Sequence, residues 1–341
     1  MTKSSSIGPI VIAAVCVCLF WEPGCGRERM KARPWHQALY AGECSPEFTC
    51  YDEVEKALPL LEKTTTDIYL AIPSWKIGDP SLGSLLKSSA AYGVGVRAWI
   101  LLPFEHGYWP NEVNVDEFTL AVKDFVQWSD SEALGVSWIV VDLEPAYDYT
   151  QQFTSLLAQN KFGDAIDLLR TNVIPQDYAV AKDKYRDLIE FLHGKGWKVM
   201  AATYPLVLDD LGDRDEGLQD ALNIPCSGLD WDNVSFMVYL STLQEFSSTP
   251  LGPALIYSYA HDARKYFGDK AGVALGIVGP GGVVEGQYLV YDRPETLRRD
   301  IGASLAGGVR EIQAYSLEGI LAMGRAEEWL EALSVPVVIP Q

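Results

Sequence analysis

The sequence is poor in basic residues for its size. Its 341 residues include 27 Lys and Arg against 46 Asp and Glu, which gives a formal net charge of −19. Proteins that follow the phosphate backbone of nucleic acids need a basic face that displaces counterions. We therefore expect no nucleic-acid partner, and the same acidity disfavours anionic polymers as ligands.

Long apolar runs are also scarce. The one at residues 7–21 has about 15 residues, whereas a membrane-spanning helix needs about 20. Lys3 precedes this run and the pair Gly24–Cys25 follows it closely, which is typical of a secretory signal peptide. We expect residues 1–30 to be this signal, and a buried first helix is the alternative.

The signal predicts an exported protein, but two destinations stay open. Cys25 resembles the lipidated cysteine that ends a bacterial lipoprotein signal, which would attach the protein to a membrane, typically the outer membrane. Without lipidation, the chain would be periplasmic or secreted. Residues 31–341 would then form the exported domain, which we expect to be a monomer.

Metal-binding patterns are missing as well. The four histidines are scattered, and no Cys-x-x-Cys pair or Cys/His cluster has the spacing of a zinc site. We therefore expect no metal and no cofactor. In an oxidising compartment, Cys44 and Cys50 could close a small loop, and Cys226 would stay unpaired if Cys25 carries lipid.

The rest of the composition is that of a folded protein, with 48% hydrophobic and 21% charged residues. From residue 36 onward, β-branched or aromatic runs alternate with amphipathic stretches, which predicts parallel strands joined by crossover helices. Eight such units fit one (β/α)8 TIM barrel. The predicted strands cover residues 36–42, 67–73, 96–103, 136–145, 197–205, 234–241, 273–279 and 310–319.

Helical stretches with apolar residues three and four apart separate these runs. Two connections are longer than the others, namely residues 146–178 after strand 4 and residues 206–232 after strand 5. Both follow the carboxyl ends of strands, where a TIM barrel builds its active site. We expect these insertions to lie over the mouth of the barrel.

Strand 4 carries the strongest catalytic signal, an apolar run that ends in Asp142-Leu143-Glu144-Pro145. Alternation along a strand directs Asp142 and Glu144 to the same face, about 7 Å apart. Two carboxylates that share a barrel mouth repel each other, so one should have a raised pKa and act as a general acid near neutral pH.

Further polar and aromatic residues follow other strands. The strand 6 run ends in Met237-Val238-Tyr239, and Tyr239 could donate a hydrogen bond into the mouth. The aromatic residues suit a ligand with apolar ring faces and polar edges, such as a sugar. The residues that we expect to bind substrate are Tyr204, Tyr315, Trp75, Glu105 and Met237.

These residues resemble those of the family 18 glycoside hydrolases, the chitinase-like barrels. Strand 4 of that family ends in DxxDxDxE, and Asp142 and Glu144 match its last two acidic positions. Strand 6 carries Met-x-Tyr-Asp, which Met237 and Tyr239 match in part. Strand 8 presents a Trp before a Ser-Leu-Asp-like run, where this chain has Tyr315 before Ser-Leu-Glu.

The sequence departs from the family at several positions. Ser137 and Val140 replace the two earlier acids of strand 4, and Leu240 replaces the Asp of strand 6. The resemblance implies cleavage of a β-linked, N-acetylated amino-sugar polysaccharide. Glu144 would be the acid, while Asp142 and Tyr239 would orient the substrate's acetamido group.

Two other functions stay open. In a two-carboxylate β-glycanase, Glu144-Pro145 would be half of an Asn-Glu-Pro motif, and a second carboxylate, such as Glu285 or Glu318, would be the nucleophile. A barrel that has lost catalysis would still bind carbohydrate through the same mouth.

Overall fold

The computed structural model describes residues 35–44, 50–159, 161–245, 250–280 and 291–334. The predicted signal peptide with Cys25 lies outside these residues, and so does Glu285. All described residues belong to one compact unit that begins at Pro34. Within these residues, no helix combines the length and the apolar character that crossing a membrane requires.

Eight parallel strands close into a barrel in chain order, with the last strand paired to the first. This confirms the predicted α/β fold, a (β/α)8 TIM barrel. The strands are β1 (His36–Ala41), β2 (Asp67–Pro73), β3 (Val96–Leu101), β4 (Trp138–Leu143), β5 (Lys198–Thr203), β6 (Asn233–Val238), β7 (Ala271–Gly276) and β8 (Glu311–Tyr315).

Several strands end earlier than the sequence predicts. β4 ends at Leu143, before Pro145, which has no backbone N–H to offer a neighbouring strand. β8 ends at Tyr315 because Ser316 caps the next helix, accepting a hydrogen bond from the Gly319 N–H. The polar residues after these strands are therefore free of the sheet ladder and lie at its carboxyl edge.

Thirteen α-helices occur in the described residues, and the two long connections fold as helices. After β4 come α4 and α5, and after β5 come α7 and α8. The helices are α1 (Tyr51–Lys63), α2 (Pro80–Ala91), α3 (Val115–Glu132), α4 (Tyr147–Ala158), α5 (Phe162–Asn172), α6 (Pro175–Gly194), α7 (Leu206–Asp213), α8 (Gly217–Ala221), α9 (Leu240–Glu245), α10 (Pro253–Phe267), α11 (Pro294–Gly307), α12 (Leu317–Ala322) and α13 (Ala326–Ser334).

The strands separate two buried clusters. Along β4, Ile139, Val141 and Leu143 face outward and pack in the core under the helices, whereas Val140 lies in the barrel interior. Both faces of the strands are buried, which explains their near-continuous apolar sequence. The interior is rich in aromatic side chains, including Tyr40, Tyr69, Trp99 and Tyr315.

A polar network occupies the amino-terminal end of the barrel interior. His36 contacts Glu311 through Nδ1 and Asp67 through Nε2, both at 2.7 Å, and Arg97 lies 3.0 Å from Glu311. Burial alone would lower the pKa of His36, but the hydrogen bonds to Asp67 and Glu311 raise it to about 9. Burial opposes ionisation of Glu311, but His36 and Arg97 lower its pKa to about 2.

Candidate active site

Asp142 and Glu144 lie on the same side of β4, at the carboxyl end of the barrel. Asp142 is 2% exposed and lies one residue before the end of the strand. Glu144 follows the strand and is partly exposed. The alternation that places Val140 inside the barrel also places these two carboxyls at its mouth.

The position of Glu144 is fixed by Tyr204, which follows β5. The Tyr204 hydroxyl donates a 2.6 Å hydrogen bond to Oε2 of Glu144. Burial raises the pKa of Glu144 to about 7, the Tyr204 hydrogen bond opposes this, and the charge of Glu43 adds to it. A carboxyl with this pKa exchanges a proton near neutral pH, as a general acid requires.

Asp142 is the more deeply buried member of the pair. Burial raises its pKa well above the ordinary value, and the charges of Glu144 and Glu43 act in the same direction. The Trp99 indole N–H faces this carboxyl and opposes the rise in its pKa. The contact does not have the geometry of an ordinary hydrogen bond. Asp142 therefore keeps a proton at pH values where an ordinary Asp is charged.

Two buried oxygen atoms at this pair are unsatisfied. Within the described residues, neither Oδ1 of Asp142 nor the Tyr40 hydroxyl has a hydrogen-bond partner. The charges of Asp142 and Glu144 both raise the pKa of Tyr40. Because buried polar groups usually have partners, these two atoms are positions where a bound ligand would complete the hydrogen bonding.

A third carboxyl, Glu43, enters the mouth from the end of β1. It is 4% exposed, and its Oε1 and Oε2 accept hydrogen bonds from Tyr108 at 2.6 Å and Tyr315 at 2.7 Å. Sequence reasoning missed Glu43, which belongs to no motif. The signal that could have found it is its position directly after the first strand.

The loop after Glu43 is closed by the predicted disulfide. Cys44 and Cys50 are bonded, with their Cα atoms 6.0 Å apart, and Cys50 precedes the first residue of α1. Cys226 is a free, buried thiol. The disulfide therefore joins the residue after Glu43 to the start of a packed helix.

Tyr239 and Tyr315 form the opposite wall of the mouth. Their ring centroids are 6.1 Å apart, and the charges of Asp142 and Glu144 raise the pKa of Tyr239 beyond the effect of its burial. Gly276, at the end of β7, makes room for this wall, since a Cβ there would lie 3.0 Å from Cδ1 of Tyr239. Met237 packs beneath, in the barrel interior.

The other predicted ligand contacts lie nearer the solvent. Trp75 is 48% exposed in a short 3-10 helix after β2, and Glu105 is exposed after β3. Trp109, further along the loop after β3, is buried and contacts the ring of Tyr147 at 5.9 Å between centroids. The roles of Trp75 and Glu105 in ligand binding stay predictions.

In the described part of the chain, no group of three or more His, Cys, Asp or Glu side chains is arranged to hold a metal ion. The carboxyls at the mouth are instead surrounded by tyrosine hydroxyls and by one another. This arrangement suits proton transfer and hydrogen bonding to a neutral polar ligand.

Fold and site together define a TIM barrel with a tyrosine-lined carboxyl cluster at the carboxyl end of its strands. No protein-family model and no curated protein matches the chain. Several solved structures do match it. The chain is similar to the PgaB (BpsB) glycoside hydrolase domain of Bordetella bronchiseptica, with a TM-score of 0.52 and 13% identity over 89% of this chain and 100% of that one.

It is also similar to a candidate alpha-L-fucosidase from Bacteroides thetaiotaomicron VPI-5482. The TM-score is 0.53 and the identity 7%, over 92% of this chain and 99% of that one. At these identities, the likeness establishes the barrel fold, and the chemistry has to be argued from the site itself.

Proposed function

We propose that this protein is a glycoside hydrolase with Glu144 as its general acid. The observation that carries the proposal is the cluster of Glu144, Asp142 and Glu43 at the carboxyl end of the barrel, where removal from water raises the pKa of each. A pKa of about 7 lets Glu144 hold its proton at neutral pH and release it in the reaction. The similarity to a glycoside hydrolase domain supports this class.

We further propose that the substrate is a β-linked, N-acetylated amino-sugar polysaccharide. Oδ1 of Asp142 is an unsatisfied acceptor, which the N–H of a substrate acetamido group would fill. The unsatisfied Tyr40 hydroxyl and the Tyr239 hydroxyl could bind the acetamido oxygen or neighbouring sugar hydroxyls. The aromatic side chains of the mouth offer apolar surfaces for sugar rings.

The proposed reaction is substrate-assisted. The proton of Glu144 passes to the glycosidic oxygen as the bond to the anomeric carbon breaks, and the acetamido oxygen attacks that carbon to form an oxazolinium ion. Glu144, now a carboxylate, then takes a proton from the water that opens this ion. Glu144 thus donates one proton and takes one proton back. Water is added at the anomeric carbon of the released sugar.

A two-carboxylate mechanism is the second candidate, and Glu43 is the observation that favours it. Retaining glycosidases use a nucleophilic carboxylate about 5 Å from the acid. Glu318 is turned toward the backbone, since its Oε1 accepts a 2.6 Å hydrogen bond from the Gly42 N–H. Of Glu43 and Glu318, Glu43 is therefore the better candidate, since its charge also acts on the pKa of Glu144.

A substrate panel tests the proposal. Wild-type protein and Glu144→Gln are incubated with matched N-acetylated and de-N-acetylated β-linked oligosaccharides, with Glu62→Gln as an exposed control on α1. Cleavage of the N-acetylated series alone, lost in Glu144→Gln and kept in Glu62→Gln, supports the substrate-assisted reaction. Cleavage of both series favours two carboxylates, and binding without cleavage shows a carbohydrate-binding barrel.

Export is part of the proposal, since a polysaccharide substrate lies outside the cytoplasm of most cells. The Cys44–Cys50 disulfide supports an oxidising compartment. Expression of the full chain in a bacterium, with Cys25→Ser as the matched variant, tests lipidation. Radiolabelled palmitate in the wild-type protein alone would show an anchored lipoprotein, label in neither together with recovery from the periplasm or medium would show an unanchored exported protein, and retention in the cytoplasm would contradict export.

A further inference from the structure

Glu43 occupies a position that the proposed reaction does not yet explain. It lies directly after Gly42, whose φ of +91° turns the chain inward at the end of β1. Both of its carboxylate oxygens accept hydrogen bonds from tyrosine hydroxyls, and the residue is almost completely buried. A carboxyl that is held by both oxygens in this way has a fixed orientation, which suits the positioning of its neighbours.

The two tyrosines connect Glu43 to elements on both flanks of β1. Tyr108, in the loop after β3, stacks on Phe104 with 4.3 Å between ring centroids. Tyr315, at the end of β8, contacts the rings of Tyr40 and Tyr239, each at 6.1 Å. Glu43 thereby fixes side chains from the loop after β3 and from β8 at the same time.

Glu43 also contributes charge. Burial raises its pKa to about 7, the hydrogen bonds from Tyr108 and Tyr315 oppose this, and the charge of Glu318 adds to it. When Glu43 is ionised, its charge raises the pKa of both Asp142 and Glu144. Removal of this charge should therefore let Glu144 release its proton at lower pH.

The titratable groups that face these carboxyls come from several elements. Tyr108, Tyr315, Glu318 and the β4 pair surround Glu43. Glu144 is faced in addition by tyrosines from the ends of β1, β5 and β6, namely Tyr40, Tyr204 and Tyr239. These tyrosines have raised pKa values and stay neutral near pH 7, so the carboxyls are the groups that titrate there.

We propose that Glu43 is a positioning residue of the hydrolysis: its two hydrogen bonds anchor Tyr108 and Tyr315 and so set the surroundings of Glu144. This role rests on the proposed function. It differs from direct catalysis because Glu43 acts through the tyrosines and through Glu144, without itself bonding to the sugar.

The first test needs no substrate. The carboxyl carbon of Glu144 is followed by NMR during pH titration of protein labelled with 13C-glutamate, and its signal is assigned by its absence from Glu144→Gln. In Glu43→Gln, which keeps the size of the side chain, we expect the pKa of Glu144 to fall by about 1. In Glu62→Gln it should stay unchanged. An unchanged value in Glu43→Gln overturns the electrostatic role.

The second test uses turnover of the N-acetylated oligosaccharide. In Glu43→Gln, the basic limb of the plot of kcat against pH should move to lower pH by the same shift as the pKa of Glu144. We expect kcat itself to be about tenfold lower. A structural role alone would lower kcat without moving the limb. Combining Glu43→Ala with Tyr315→Phe should cost less than the two single effects multiplied, because both variants remove the hydrogen bond between Glu43 and Tyr315. Independent effects would contradict the anchoring role.

Chemical rescue separates this role from nucleophilic catalysis. If azide restores turnover to Glu43→Ala and yields a glycosyl azide, Glu43 is the nucleophile and the positioning role is overturned. If wild-type protein cleaves no oligosaccharide but the NMR shift occurs, the proposed function fails and the charge coupling stands. If Glu144→Gln is inactive but Glu43→Gln matches wild type in profile and rate, only the positioning role fails.

Discussion

The Tyr204 hydroxyl lies 2.6 Å from Oε2 of Glu144 and donates its hydrogen to that oxygen. The contact joins the ends of β4 and β5, which are paired along their length. It orients the proposed acid and stabilises its charged form, so it sets the pH at which the proton is released.

Replacing Tyr204 by Phe should therefore raise the pKa of Glu144 above about 7. The charged carboxylate loses a hydrogen bond, so the proton is held more strongly. We expect the basic limb of the kcat profile to move to higher pH, the opposite direction from Glu43→Gln. Steady-state kinetics between pH 5 and 9 measure this shift, and a limb that stays in place would show that another group controls it.

Asp142→Asn should make the protein more stable while removing activity. The folded state raises the pKa of Asp142 above its unfolded value, so the wild-type residue costs stability once the pH exceeds the unfolded pKa. Asn cannot ionise and avoids this cost. Urea unfolding should show Asp142→Asn gaining on wild type from pH 4 to pH 8, with turnover at least about 100-fold lower. A constant stability difference would indicate an ordinary carboxyl.

Gly276→Ala should disturb Tyr239 specifically. The added Cβ would lie 3.0 Å from Cδ1 of the Tyr239 ring and 3.4 Å from the Tyr315 carbonyl oxygen, so the ring has to shift. We expect kcat/KM to fall about tenfold. Gly163→Ala in α5 is the matched control, since nothing lies within 4 Å of its Cβ position. Equal kinetics for the two variants would remove Tyr239 from the site.

The polar network at the amino-terminal end predicts a pH-dependent stability that is independent of catalysis. His36 has a pKa raised from 6.5 to about 9, so its stabilising contribution is complete below pH 6.5 and is lost as the pH rises through 9. The difference in unfolding free energy between wild type and His36→Gln should shrink over this interval. Activity at pH 7 should be unchanged. A difference that is constant with pH would mean that His36 is neutral in the folded protein.

The disulfide should support both stability and the site. Cys44 and Cys50 are six residues apart, and opening so short a loop is expected to cost about 2 kcal/mol. The double change Cys44→Ala and Cys50→Ala should also lower kcat at temperatures where the protein is fully folded, because Cys44 adjoins Glu43. Thermal unfolding and kinetics at 20 °C separate the two effects. Full activity would show that Glu43 is held without the disulfide.

The sequence predicts the barrel well because each strand is buried on both faces and separated from the next by an amphipathic helix. It predicts the position of Asp142 and Glu144 because alternation along β4 fixes their common side. The ends of strands are less certain, since Pro145 and the helix cap at Ser316 end pairing before the apolar pattern does.

Glu43 could not be predicted by the same reasoning. A single acidic residue after a strand is ordinary in a sequence, and its importance depends on Tyr108 and Tyr315, which are 65 and 272 residues away along the chain. Such a contact follows from barrel closure, which brings together residues that no local pattern relates. The exposure of Trp75 and Glu105 likewise depends on how their loops fold.

The hydrogen bond between Glu43 and Tyr315 links the first strand to the last. Both partners reach their places only when β8 pairs with β1, after all eight strands have been synthesised. A growing or truncated chain that has Asp142 and Glu144 but not β8 therefore has an incomplete site. The proposed enzyme would stay inactive during translation, and hydrolysis would begin only once the barrel has closed.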